Sequence, residues 1–318
     1  MKKIHLIILF LIASNCLSQI KSGKELAEKL KGRTFTIDRL VNYANINIKD
    51  DYEKAKFFYY WIGLNVNYDF ELLNKMKTID YNYEKDYSYN LSAESVFTKR
   101  QAICLGYSVL FKHFMDRADI YCYTIHGHIR DERNNYLDIN KDSDFSHAWN
   151  VIEINDEWKI VDTTWGNSGN TDNLDISDYY FDIDPKRAII THFPEKPEWQ
   201  LLEKKVTLEE FNKSIYINAE WFKLGFEESP KVLQDDNYYY FTYKSNLKSI
   251  KANLKFSYDN VLFDNIPNSI FLIQDGIDYI KFEKKSIKIN TFIKVNITIF
   301  DSDGSYLEYK DVINFKIK

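Results

Sequence analysis

The chain has 318 residues, 45% hydrophobic and 28% charged, with a formal net charge of −5 at pH 7. That balance describes a globular protein, and with no basic stripe it excludes nucleic acid as a partner. The 24 tyrosines and 22 phenylalanines against 10 glycines and 5 prolines exclude a disordered chain and favour aromatic-rich strands.

The first segment, "MKKIHLIILFLIASNCLSQ", places Lys2 and Lys3 before an apolar run from Ile4 to Ala13 and then small residues. These are the three regions of a secretory signal peptide, here of bacterial style. The run is too short to span a bilayer, which needs about 20 residues. Cleavage near Ser18 is expected, which leaves a secreted or periplasmic protein with no membrane segment. A lipoprotein anchored through Cys16 is the rival, but Asn15 before it fits that signal poorly. After cleavage only Cys104 and Cys122 remain, and in an exported chain they could pair.

Residues 22–31 read as a short capped helix, and 50–70 as a helix with Ala55, Phe58, Trp61, Ile62 and Val66 at helical spacing. The polar, tyrosine-rich stretch 71–90 reads as a long loop. Ser92 opens a capped segment, and from Cys104 an apolar stripe of Val109, Leu110, Phe114 and Met115 predicts a helix ending near Ala118. A strand is expected over 121–130, and a β-hairpin over 147–154 and 158–165 with Asn155 and Asp156 at its turn. A helical connector (201–226) leads to period-two runs: Ile250 to Phe256, Ile287 to Ile299 and Ile313 to Ile317, with the turn "DSDG" at 301–304. Such runs predict a small antiparallel β-sandwich over 227–318.

A cysteine becomes a nucleophile only as a thiolate. Cys104 lies at a predicted helix start, where the dipole favours negative charge by about 0.3–1 kcal/mol. That is too little alone, so a histidine must take the proton. His5 lies in the leader, His113 in the Cys104 helix, and His192 near the end of the domain. His126 and His128 share a strand face without an evident third ligand. His147 opens the hairpin, and if Ile154 faces Glu157 across the turn, His147 and Asp162 are diagonal neighbours on one sheet face. Cys104, His147 and Asp162 then supply nucleophile, base and orienter.

The segments "AICLGYSVLFKHF", "HAWNVIEINDEWKIVDTTWG" and "EKAKFFYYWIGLNVNYD" together resemble the transglutaminase-like superfamily. Its pattern falls here on Cys104, Gly106 and Tyr107; on His147, Trp149 and Asn150; and on Trp158, Val161, Asp162, Thr164 and Trp165. "YYFDIDPKRAIITHFPEKPEWQLL" (179–202) is similar to the segment that closes this domain in the kyphoscoliosis peptidase branch, whose members carry downstream β-sandwich domains. The resemblance implies an α+β, papain-like catalytic domain over 19–200 with Cys104, His147 and Asp162 as its triad, followed by an immunoglobulin-like sandwich. The family commonly has glycine two residues before the cysteine, and this chain has Ala102. Gln101, Trp149 and Trp165 are the expected cleft residues, Gln101 as a second oxyanion donor beside the Cys104 backbone N–H.

The loop "DINKDSD" (138–144) spaces Asp138, Asn140, Asp142 and Asp144 as a calcium loop would. Ser143 replaces the required glycine and Trp149 the required glutamate, so no metal or other cofactor is assigned. The expected function is acyl transfer on amide bonds of a protein or peptide substrate, with hydrolysis ahead of transamidation. The alternative is a non-catalytic scaffold whose β-sandwich binds a protein or cell-wall partner.

Overall fold

The computed structural model describes residues 22–76, 90–132, 136, 138–167, 176–245, 250–274 and 276–317. The expected signal peptide, with Cys16 and Ser18, lies outside the described residues. None of the described helices is long and apolar enough to cross a membrane. The chain divides into two compact units, the first holding residues up to Ile125 together with Ala148–Ile183, the second His126–His147 together with Asp184–Lys318.

The first unit opens with helices α1 (Gly23–Lys29), α2 (Ile37–Asn47) and α3 (Asp51–Asn65). Their starts follow from the capping residues. Ser22, Thr36 and Asp50 each accept a hydrogen bond from a first-turn N–H with the side chain. Helix α3 is buried almost all round, from Phe57 through Gly63, which makes it the central rod of the unit. Trp61 stacks on Phe97, and Phe58 stacks on Phe114.

After α3 come β1 (Asn67–Tyr68), α4 (Phe70–Met76), α5 (Ala93–Lys99), β2 (Gln101–Ala102) and α6 (Cys104–Arg117). Helix α4 corrects the expectation of a loop from residue 71. Asp69 accepts from the Leu72 N–H at 2.8 Å and starts a turn that the tyrosine-rich composition hid. Residues 77–89 of that expected loop lie outside the described residues. Strands β1 and β2 pair in parallel, Asn67 with Gln101 and Tyr68 with Ala102, directly before the Cys104 helix.

Next come β3 (Cys122–Ile129), β4 (His147–Ile154), β5 (Glu157–Val161), α7 (Thr163–Gly166), β6 (Phe181–Ile183), α8 (Pro185–Thr191) and β7 (His192–Pro194). The strand order is β6-β5-β4-β3-β7. The hairpin forms with Ile154 opposite Glu157 and Asn150 opposite Val161. Asn155 and Asp156 take positive φ of 54° and 63°, the type I′ turn that matches strand twist. Its second strand is shorter than expected. It stops at Val161 because the Asp162 carboxylate accepts from Thr164 N and Trp165 N and turns the chain into α7.

In the second unit α9 (Leu208–Lys213), β8 (Tyr216–Ile217) and α10 (Ala219–Lys223) replace one continuous helical connector. Tyr216 and Ile217 break the helix by pairing with Asn314 and Ile313 of the last strand. The remaining strands are β9 (Lys231–Gln234), β10 (Tyr238–Tyr243), β11 (Ile250–Ser257), β12 (Asp264–Asn265), β13 (Ile270–Gln274), β14 (Ile277–Glu283), β15 (Phe292–Phe300) and β16 (Tyr306–Lys316). They form two antiparallel sheets, ordered β13-β14-β10-β9 and β12-β11-β15-β16-β8. Phe241 of one sheet stacks on Phe315 of the other with rings 4° from parallel. The alternating run from Ile287 is cut back. Ile287 follows a 3₁₀ turn, Ile289 is exposed, and Asn290 takes a positive φ of 67° before β15 begins.

Candidate active site

Cys104 is the first residue of α6 and is half-buried. Ile103 at the cap position offers no side-chain acceptor, so the dipole at this helix end is not offset by a capping oxygen. Gly106 lets the helix start press against its neighbours. A Cβ there would lie 2.8 Å from Ala102 Cβ and 3.0 Å from Val96 Cγ2. Ala102 itself is fully buried, and the positive φ near this turn falls on Arg100 instead. Alanine at 102 is therefore accommodated without left-handed strain, and it is the wall that keeps position 106 a glycine.

Three hydrogen bonds anchor the helix start. Tyr107 donates from its hydroxyl to the Val66 carbonyl at 2.7 Å. Asn167, just after α7, donates from Nδ2 to the same carbonyl at 2.8 Å and to the Tyr107 hydroxyl at 3.1 Å. The end of α3, the start of α6 and the Asp162 turn are thus tied at one point. On the strand side, buried Asn150 of β4 donates to the Ser108 carbonyl of α6 at 3.1 Å.

His147 is the first residue of β4, and Ala148 continues the strand into the β4–β5 ladder. Asp162 follows β5 directly, so the ladder sets their spacing through continuous backbone. His147, Asp162 and His192 are all buried. Asp162 Oδ1 accepts from Thr164 N at 2.8 Å and Trp165 N at 2.9 Å, which fixes the carboxylate. The His147 and His192 rings meet edge to face with centroids 5.8 Å apart, and His192 Nδ1 lies 2.8 Å from Thr191 Oγ1.

His192 is the residue that reading the sequence set aside. It opens β7, where it pairs with Ile129, and that pairing returns it to the sheet. A three-residue strand carries no periodicity, so the only signal was a histidine between a capped helix and Pro194.

The other expected residues separate. Trp149 is buried in the core, as a wall residue would be. Trp165 is half-buried with its ring edge-on to Tyr180. Gln101 is exposed on β2. His126 is exposed and His128 buried, and burial holds the His128 pKa below its ordinary value. Among the described residues Cys104 and Cys122 carry thiols rather than a disulfide. Cys122 is buried beside Asn150, with its Sγ 3.6 Å from Asn150 Nδ2, and burial pushes its thiol far above the ordinary range.

A mixed helix-and-sheet unit whose half-buried cysteine opens a helix, followed by a hairpin that carries histidine and aspartate, defines a papain-like fold. Residues 39–163 match the model of the transglutaminase-like superfamily. Cys104, His147 and Asp162 all fall inside the matched span. The kyphoscoliosis peptidase of Mus musculus is 28% identical over 181 residues, covering 55% of this chain and 26% of that protein. Hillarin of Drosophila melanogaster is 29% identical over 135 residues, 38% of this chain and 16% of that protein. A crystal structure of a TGase superposes with a TM-score of 0.32 at 18% identity, covering 46% of this chain and 38% of that one. The chain spans about a quarter of the length of the mouse peptidase it matches.

Proposed function

We propose that this chain is an exported thiol enzyme that transfers acyl groups from amide bonds of protein or peptide substrates, with water as the acceptor. The observation that carries the reading is the β4–β5 hairpin, whose first strand opens on His147 and whose second runs directly into Asp162, in a chain that also starts a helix at Cys104. In this reading His147 takes the proton from the Cys104 thiol, and the thiolate attacks the substrate carbonyl. The amine leaves with that proton, and a thioester links the acyl group to Cys104. Water, deprotonated by His147, then attacks the thioester, releasing the acid and restoring the thiol. Asp162 orients the imidazole and stabilises its cation. The Cys104 backbone N–H is the first donor to the oxyanion. The name of the mouse relative supports hydrolysis over transfer to an amine.

The test is iodoacetamide labelling of the folded protein across pH, read residue by residue by mass spectrometry. Cys104 should react well below its ordinary pKa of about 8.5, and His147→Ala should abolish that low-pH reactivity. Cys122 should label only after unfolding, since its thiol is buried. A Cys104 that titrates near 8.5 with or without His147 overturns the reading. Incubation with a glutamine-containing protein and a labelled amine then separates the two acceptors.

A further inference from the structure

The second unit carries a half-open pocket of about 280 Å³ lined by Arg130, Tyr136, Asp138, Lys213, Asn290 and Lys316, among others. Arg130 is only 2% exposed. Its Nη1 donates to the Ser214 carbonyl at 3.0 Å and to Ser214 Oγ at 3.2 Å, and its Nη2 donates to the Phe211 carbonyl. The guanidinium lies over the Phe211 ring, 4.4 Å from its centroid. All of these acceptors are neutral, and Nε has no hydrogen-bond partner among the described residues. A buried cation whose hydrogen bonds go to neutral groups is costly, because they repay less of its lost hydration than a paired carboxylate would. Burial accordingly pushes the Arg130 pKa down to about 10, with Asp138 opposing that shift from longer range.

The rim adds to the imbalance. Lys316 reaches over the Phe292 ring, and Lys213 is shared with Glu209 of its own helix. Among the described residues three cationic side chains thus line the pocket against the carboxylate of Asp138. Tyr136 and Asn314 are committed to each other through a 3.0 Å hydrogen bond, which stiffens one wall. The volume lies just below the range of drug-sized sites, about 300–1,000 Å³, and suits a compact ligand.

We infer that this cavity binds a small oxyanion carrying two negative charges, a phosphate or a short dicarboxylate. The site is independent of the thiol chemistry proposed above. Its anion adds a second counter-charge for Arg130 beside that of Asp138, while the rim lysines set the capture field.

The experiment is titration calorimetry of the intact chain at low ionic strength with inorganic phosphate and, separately, with malonate. At least one should give saturable 1:1 binding, and the one that does identifies the class. Lys316→Gln and Lys213→Gln change only rim charges, and each should weaken binding by about fivefold, while Lys31→Gln in the first unit should not. Arg130→Lys should abolish binding, and circular dichroism checks that this variant is folded. No saturable binding of either anion, or equal affinity in the wild type and both rim variants, overturns the assignment.

Discussion

Replacing Gly106 by alanine tests how tightly the Cys104 helix is seated. The added Cβ would lie 2.8 Å from Ala102 Cβ, 3.0 Å from Val96 Cγ2 and 3.7 Å from Leu91 Cδ2. The last is an ordinary contact, and the second needs Val96 to yield by a few tenths of an ångström. The first meets a methyl fixed to the backbone of β2 and cannot be relieved by a rotamer. Overpacking of this kind costs about 1–3 kcal/mol. Against it stands a helix-propensity gain of about 1 kcal/mol for alanine over glycine. The single variant should therefore lose about 1 kcal/mol.

Ala102→Gly alone removes one buried methyl, about 0.8 kcal/mol, and adds backbone freedom worth about 0.5–1 kcal/mol. Combined, the two substitutions exchange a methyl across the same gap, so the clash disappears while the propensity gain stays. A double-mutant cycle by urea denaturation should then show a favourable coupling of at least about 1 kcal/mol. Additivity within about 0.3–0.5 kcal/mol would refute the contact, as would a Gly106→Ala variant as stable as the wild type.

Two further predictions concern the same unit. Tyr107→Phe should cost only about 1 kcal/mol in the same denaturation assay, because Asn167 continues to satisfy the Val66 carbonyl that loses the hydroxyl. A loss above about 3 kcal/mol would mean that carbonyl is left unsatisfied. Asp178 governs part of the acid limb. Burial alone would raise its carboxyl pKa, but the hydrogen bond from Tyr60 at 2.5 Å and the charge of Lys56 outweigh it and hold the pKa below the ordinary value. Its contribution is present above the unfolded pKa of about 3.9 and is lost as pH falls through the lower folded value. Asp178→Asn should flatten stability against pH below about 4, by less than about 1 kcal/mol because the side chain is partly exposed. An unchanged acid limb would remove Asp178 from the account.

What could be read from the chain was mostly local chemistry. Ser22 and Ser92 each cap the helix they announced, and the caps act within three residues. Asn155 and Asp156 accept positive φ readily, so the hairpin turn and its register, Ile154 opposite Glu157, followed from two side chains. What escaped depends on distant partners or on competition within a turn. His192 returns to the sheet through one short pairing with Ile129, more than sixty residues earlier in the chain. The end of β5 escaped because Thr163, Thr164 and Trp165 favour a strand by propensity, and one carboxylate overrides all three. The roles of Tyr107 and Asn167 were illegible for a similar reason. Tyr107 is simply an aromatic on an apolar helix until the Val66 carbonyl is placed opposite its hydroxyl.

The two amide hydrogen bonds at Asp162 bear on how such chains diverge. An oxygen acceptor at this position is demanded by the α7 turn whether or not any reaction takes place. Mutation should therefore tolerate asparagine here more readily than a hydrocarbon, and a lineage that abandoned catalysis would still retain an acceptor at position 162. In any descendant of this chain, an aspartate at position 162 is therefore evidence of the fold before it is evidence of activity.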